Sequence, residues 1–315
     1  MAPKTAPGGA DAPAQVLVVG EALIDVVHRQ DGTVDEHPGG SPANVAITLG
    51  RLGRDVQLLA WIGEDAYGSM IRRWLGASGV SLAPGATGAA QTSIATAQLD
   101  AKGAATYDFE IEWRMPHDVE VPQSTVAIHS GSIAATLAPG GDDVVALMRR
   151  FQPNVTITYD PNVRPTLMGM PLTAAPRIEE LVMLADVVKV SDEDLAWLYP
   201  HRSPDVSAGL WQKRQGGIVV MTRGGEGATA WYPGGTVDVA APPTTVADTV
   251  GAGDSFMGAL IDGLWSADLL GGARRAALRA IDAATLTTVL ERCTKVAAIT
   301  VSRAGANPPR RDELD

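Results

Sequence analysis

VLVVG, residues Val16 to Gly20, is a short apolar run closed by a glycine. A strand buried on both faces needs an unbroken stretch of this kind, whereas a half-exposed strand alternates apolar and polar residues. Similar runs recur at VQLLAWI (Val56–Ile62), VAIHS (Val126–Ser130), VTITYD (Val155–Asp160), VVKV (Val187–Val190) and GIVVMT (Gly217–Thr222). Between them the spacing predicts helices: Pro42–Leu52, with Val45, Leu49 and Leu52 on one face, then Met70–Leu75 and Asp142–Phe151. Buried strands alternating with amphipathic helices predict an α/β domain on a mostly parallel sheet.

Two segments break this rhythm. Ile24–Glu36 reads strand, Asp31–Gly32, strand, and Thr92–Glu112 reads strand, Lys102–Gly103, strand. In the second, Tyr107, Phe109 and Ile111 alternate with Asp108, Glu110 and Glu112, the period of a half-exposed antiparallel strand. Two such hairpins, at about 24–37 and 92–113, predict a small accessory sheet. It would cover the carboxyl edge of the large sheet, where open α/β sheets place their ligands. Decorative edge strands are the alternative. Residues 1–14, rich in Ala, Pro and Gly, read as a disordered tail, and residues 15–315 as one domain.

The chain has 315 residues, 45% hydrophobic and 19% charged, enough to bury a sizeable core and too apolar for global disorder. Its formal net charge of -11 repels phosphate backbones and anionic lipid, which argues against nucleic-acid and membrane partners. An anionic ligand must therefore be held by a local device. Cys293 is the only cysteine, so no internal disulfide forms. No signal-like or membrane-spanning run occurs, and we read the protein as cytoplasmic.

The strongest local signal is DTVGAGDSF (Asp248–Phe256), followed by Leu260 and Leu264 at helical spacing. Small residues at Gly251, Ala252 and Gly253 let successive amides point one way as a helix begins, which makes an anion site. Asp254 stands where a phosphate would be attracted, placed to take a proton from an attacking hydroxyl. An aspartate that only caps the helix is the plain alternative.

GGSPAN (Gly39–Asn44) gives close backbone approach and an amide suited to a polyhydroxylated ligand, although a Gly-rich loop before Pro42 is also a common helix start. Asp25 follows a buried strand and could accept bonds from vicinal hydroxyls, or be a solvated strand-end acid. DPNVR (Asp160–Arg164) brings Asn162 and Arg164 near the same edge, with Arg164 as an anion or hydroxyl clamp or a surface ion pair. TRGGEG (Thr222–Gly227) offers glycine backbone to a flat base or to phosphates. P-loop, HExxH and G-x-S-x-G patterns are absent, and the five histidines show no ligand spacing.

In this order and at these distances, GGSPAN, TRGGEG and GAGD resemble the signature regions of the ribokinase-like (PfkB-type) carbohydrate kinases, from Val16 to about Arg311. GEALIDV (Gly20–Val26), DPNVR and KVSDEDL (Lys189–Leu195) are similar to the fructokinase branch. The resemblance implies a three-layer α/β/α fold with a small antiparallel β lid. It implies an ATP-dependent sugar kinase using Mg²⁺, with fructose as substrate and 2-keto-3-deoxygluconate, ribose or a nucleoside as alternatives. It further implies that Asp254 is the base and that the amides of Gly251, Ala252 and Gly253 form the anion hole. Asp25, Gly39, Gly40 and Asn44 would grip the sugar, with Arg164 nearby. Lys189, Ser191, Thr222, Gly224, Gly225 and Gly227 would line the ATP site. A K⁺ site maps to Asp248, Val250, Thr300, Arg303 and Gly305. The family's Asn-x-x-Glu reads Ser191-Asp192-Glu193-Asp194 here, which leaves open whether Asp194 organises Mg²⁺ through water. YDFEIEW (Tyr107–Trp113) also departs from the family pattern. An exposed lid face would allow a homodimer. A non-catalytic sensor and a dinucleotide oxidoreductase are the rival classes: intact GAGD argues against the first, and the missing phosphate-binding glycines after Val16–Val19 against the second.

Overall fold

The computed structural model describes residues 13–29, 32–99, 105–116 and 119–314. Of the expected tail, residues 1–12 fall outside the described residues, as do Asp31 of the first turn and the Lys102–Gly103 turn. The strands are β1 (Gln15–Val19), β2 (Leu23–His28), β3 (Val34–Gly39), β4 (Asp55–Leu59), β5 (Val80–Leu82), β6 (Ile94–Leu99), β7 (Ala105–Glu110), β8 (Thr125–Gly131), β9 (Thr156–Asp160), β10 (Val187–Ser191), β11 (Ile218–Thr222), β12 (Ala228–Tyr232) and β13 (Gly235–Val239). The helices are α1 (Ser41–Arg51), α2 (Ala66–Gly76), α3 (Gly140–Phe151), α4 (Pro165–Met168), α5 (Pro171–Leu184), α6 (Asp192–Leu198), α7 (Pro204–Gln215), α8 (Ala252–Ser266), α9 (Arg275–Arg279) and α10 (Ala283–Val301).

A nine-stranded sheet runs β13-β12-β11-β10-β9-β8-β1-β4-β5, parallel from β5 through β11 and antiparallel at β12 and β13. Alternate residues of one strand feed two cores, as a strand buried on both faces must. Val16 and Val18 join the core under α1, α8 and α10, while Leu17 and Val19 join the core under α3, α5 and α7. All six apolar runs read from the sequence are strands of this sheet. No described helix is long and apolar enough to cross a membrane.

The second sheet has the order β3-β2-β6-β7. Each hairpin is antiparallel within itself, and the two join through a parallel β2–β6 pair. The second hairpin is shorter than its sequence pattern. Its strand ends at Glu110, and Trp113 turns inward, 3% exposed, to donate from Nε1 to the Ala134 carbonyl at 2.8 Å.

Candidate active site

The carboxyl ends of β1, β8, β9 and β10 and the start of α8 meet around a group of buried polar side chains. Glu21, just after β1, is 5% exposed and accepts from the Ala134 amide at 3.2 Å. Burial pushes its carboxyl up to about 7, against the pull of nearby amides, Ser132 and the Arg164 charge. Asp160 ends β9, and its Oδ2 accepts from Lys189 Nζ of β10 at 2.8 Å, both side chains being almost fully enclosed. Burial opposes charge on each partner. It pushes Asp160 up to about 6, with Asp194 and Asp254 adding to the push and Lys189 resisting it. For Lys189 the same carboxylates outweigh burial and hold the ammonium above the ordinary lysine range. Both partners are therefore ionised at neutral pH.

The glycine pair has a steric reason. A Cβ on Gly39 would stand 2.2 Å from Asp25 Oδ2, so only glycine leaves the Asp25 carboxylate its place. Gly40 has φ 108 and lies over the Glu21 carbonyl, where a Cβ would come within 2.4 Å. Burial pushes Asp25 up to about 6, opposed by the His37 and Arg164 charges. Chain reversal at Gly40 starts α1 with Pro42 in its first turn, and so aims Ser41 and Asn44 inward.

Both side chains reach Asp254. Ser41 Oγ donates to its Oδ1 at 2.7 Å and Asn44 Nδ2 to its Oδ2 at 2.8 Å; Asn162 Nδ2 lies 3.5 Å from Oδ1. Asp254 thus does not act as a helix cap: α8 begins at Gly251 (φ 75) with no side-chain cap, and the carboxylate, 7% exposed, is held by α1. The first-turn amides of α8 are left without a capping side chain, which is the anion-binding arrangement of a helix start. Lys189 adds a positive charge there, since a Cβ on Gly253 would lie 2.7 Å from its Nζ. Asn44 Oδ1 is buried without a partner among the described residues, an acceptor free for a ligand hydroxyl.

The other predicted residues fall into three places. Ser191 and Thr222 are direct partners across β10 and β11, beside the loop of Gly224, Gly225 and Gly227. Gly224 and Gly225 face open space, while Gly227 (φ 105) touches the backbone at Val239 and Ala241. Asp248 ties two loops together, accepting from the Val250 amide at 3.0 Å and the Gly305 amide at 2.9 Å. Gly251 packs against Ala306, so these loops abut the start of α8. The Thr300 hydroxyl donates to the Val296 carbonyl, and the Arg303 guanidinium pairs with Glu313. Asp194 forms a capping box with Ser191 and also accepts from the Val163 amide at 3.0 Å, so both its oxygens have backbone partners. Arg164 is exposed at the mouth, donating to Asn162 Oδ1 at 2.8 Å.

Sequence reasoning placed Asn162 near this edge without giving it a role, missed Ser41 and Asp160 as contributors, and placed Lys189 at the nucleotide without its tie to Asp160. Asn162 alone carried a local signal, as an asparagine after a proline that adopts positive φ, here 37. Of the histidines, His129 is buried at 1% exposure with Nδ1 3.0 Å from Thr158 Oγ1, and burial and the Lys189 charge push it down to about 3, so it stays neutral.

The model of the pfkB family carbohydrate kinases matches residues 13–313. A fructokinase of Rhizobium leguminosarum bv. trifolii is 35% identical over 266 residues, covering 81% of each chain. A fructokinase of Xylella fastidiosa with bound ATP superimposes with a TM-score of 0.82 at 24% identity, covering 95% of this chain and 96% of that one. An uncharacterised sugar kinase of Pyrococcus horikoshii in complex with ATP superimposes with a TM-score of 0.78 at 25% identity, covering 95% and 96%.

Proposed function

The chain belongs to the pfkB family of carbohydrate kinases, and we propose that it transfers the γ-phosphoryl group of ATP to the C6 hydroxyl of fructose. Phosphoryl transfer asks little covalent chemistry of a protein; positioning and charge stabilisation dominate. Asp254 supplies the first: a carboxylate fixed by Ser41 and Asn44 has few orientations and takes the hydroxyl proton as the oxygen attacks phosphorus. The amides of Gly251 and Gly253 at the start of α8, with Lys189 beside them, supply the second, facing the charge that grows on the γ-phosphoryl oxygens, whereas the Ala252 amide already donates to the Thr249 carbonyl at 3.3 Å. Asp25, the Gly39–Gly40 backbone and the unpartnered Asn44 Oδ1 grip the remaining hydroxyls. The open Gly224–Gly225 loop beside Thr222 takes the nucleotide, by analogy with the ATP-bound Pyrococcus relative.

Mg²⁺ would arrive with the nucleotide and would offset its charge. Among the described residues no group of acids or histidines forms a metal cage, and the oxygens of Asp194 and the Asp160–Lys189 pair are already engaged. A monovalent cation fits better: Asp248 holds the 248–250 and 302–305 segments together next to α8, where carbonyls of Val250, Arg303 and Gly305 add oxygen donors, whereas the Thr300 carbonyl, in the last turn of α10, already accepts from the Arg303 amide at 3.1 Å. K⁺ bound there would complement the electrostatics of the helix start. The accessory sheet ends in β3 and β7, and pairing of two copies through it is read by light scattering.

One observation carries the reading: a carboxylate anchored on the sugar-loop helix and seated at the uncapped start of another. The test is ADP release over a panel of sugars, keto-acids and nucleosides, with and without K⁺, together with Asp254→Asn. Fructose should give the highest kcat/KM, and the variant should lose about 10²–10⁴-fold in kcat with its melting temperature retained. Preference for a carboxylated sugar would assign Arg164 to that carboxylate, and near-normal turnover by the variant would remove Asp254 from its role.

A further inference from the structure

The accessory sheet carries recognition chemistry beyond Asp25. Ile24 and Val26 are buried in the core against which Tyr67 and Met70 of α2 pack, so Asp25 projects from the opposite face of β2. Strand register continues that face as one row across the sheet: His37 is opposite Asp25, Ala95 is on its other side, and Phe109 is opposite Ala95. Directly opposed side chains on one face stand with Cβ atoms about 4.5–5.5 Å apart. The exposed imidazole of His37 therefore flanks the sugar-gripping carboxylate on one side, with the small, buried Ala95 on the other. No described residue hydrogen-bonds either ring nitrogen of His37.

Resting on the sugar-kinase reading above, we propose that His37 is a specificity-determining residue which, with Asp25, reads a neighbouring pair of sugar hydroxyls. An ionised carboxylate only accepts hydrogen bonds, whereas an imidazole N–H donates. Vicinal hydroxyls can donate to one and accept from the other at once. A ligand lacking either hydroxyl would leave one of the two groups unpaired.

His37 also acts on Asp25 through charge. The groups facing Asp25 are His37 from β3 and Arg164 from the loop after β9. On β3 itself Asp35 is ion-paired with Arg29, and Glu36, on the opposite face, accepts from the Tyr67 hydroxyl of α2. From β6 and β7 the row contributes only Ala95 and Phe109, since Asp108 and Glu110 project to the other face. Positive charge on His37 opposes the upward push of burial on Asp25 and so keeps it an acceptor at lower pH.

The experiment compares the native enzyme with His37→Ala and His37→Gln, in steady-state kinetics against fructose and against ATP across about pH 5.5 to 8.5. Loss of one hydrogen bond predicts about a five- to tenfold rise in the sugar KM for His37→Ala, with kcat and the ATP KM within about twofold. The acid limb of kcat/KM should move to higher pH. Gln should restore most of the KM but not the limb, because it bonds but does not carry charge. An unchanged sugar KM and an unchanged acid limb in a folded His37→Ala protein overturn the proposal while the fructokinase reading stands. If the native enzyme prefers another sugar, the substrate reading fails and the same KM split on that sugar decides His37. If it phosphorylates none, both fall together.

Discussion

Gly39→Ala tests the substrate grip more sharply than removal of any charged group. An added methyl would stand 2.2 Å from Asp25 Oδ2 and 3.2 Å from its Cγ. That is about 1 Å inside the distance at which carbon and oxygen make normal contact. The backbone at Gly39 lies outside the left-handed region, so alanine fits the chain there, and the conflict is with the Asp25 carboxylate alone. The carboxylate must swing out of place. Hydrogen bonds to a charged acceptor are worth about 1.5–3 kcal/mol each, so losing a bidentate grip on two hydroxyls removes roughly 3 kcal/mol, or on the order of 10²-fold in kcat/KM. Because the grip is made to hydroxyls that do not react, most of the loss should appear as a higher sugar KM, with the ATP KM unchanged. Melting temperature should move by only a few degrees. Asp25→Ala should cost a similar factor, and the double variant no more than either one, since both act through the same carboxylate. Coupled ADP-release rates at varied fructose decide it. Full activity in Gly39→Ala, or strictly additive losses in the double variant, would refute the steric argument.

Two further predictions concern stability. Glu21, Asp25 and Asp160 are held at about 7, 6 and 6, each above its ordinary carboxylate value. A carboxyl raised by folding contributes stability that is present below its unfolded pKa and lost as pH climbs through the folded one. The melting temperature should therefore fall between about pH 5 and pH 8, and Glu21→Gln, which keeps an acceptor for the Ala134 amide, should make that fall shallower; an unchanged slope would contradict the burial account. Asp262 on α8 is fully buried and accepts from Arg54 at 2.6 Å and Arg311 at 2.8 Å, tying α8 to the α1–β4 turn and to the end of the chain. The arginines can turn to water, so Asp262→Ala should cost less than the ~3–5 kcal/mol of breaking a fully buried pair, about 2–3 kcal/mol by denaturant titration, with kcat retained at low temperature.

The parallel sheet was legible because a strand covered on both faces leaves a continuous apolar run, and every run read that way is a strand. β5, with three residues, and the β12–β13 hairpin left weaker marks: ATAWY and GTVDV interleave small, polar and aromatic residues and carry no run of the same kind. At the site, glycines and the acid after them were legible because backbone constraint and charge are local properties. Ser41 was not, because its role depends on α1 crossing the start of α8 from a point 213 residues away in sequence. The tie between Asp160 and Lys189 was likewise hidden, since only the pairing of β9 with β10 reveals that one neutralises the other.

That neutralisation bears on how a chain of net charge -11 can handle a polyphosphate. A lone buried ammonium beside Gly253 would attract phosphate, but its desolvation would be costly without a partner. Asp160 makes Lys189 tolerable in the empty site, yet leaves a neutral pair with little long-range field. In the proposed transfer, the charge growing in the transition state is then met at short range, by the amides at the start of α8 and by the near face of Lys189. Such short-range donors act on phosphoryl oxygens once these have been positioned, and have little hold on a distant anion. An acidic surface is compatible with this arrangement, and Gly251 and Gly253 are required by it, because a side chain at Gly251 would strike Ala306 and one at Gly253 would strike Lys189.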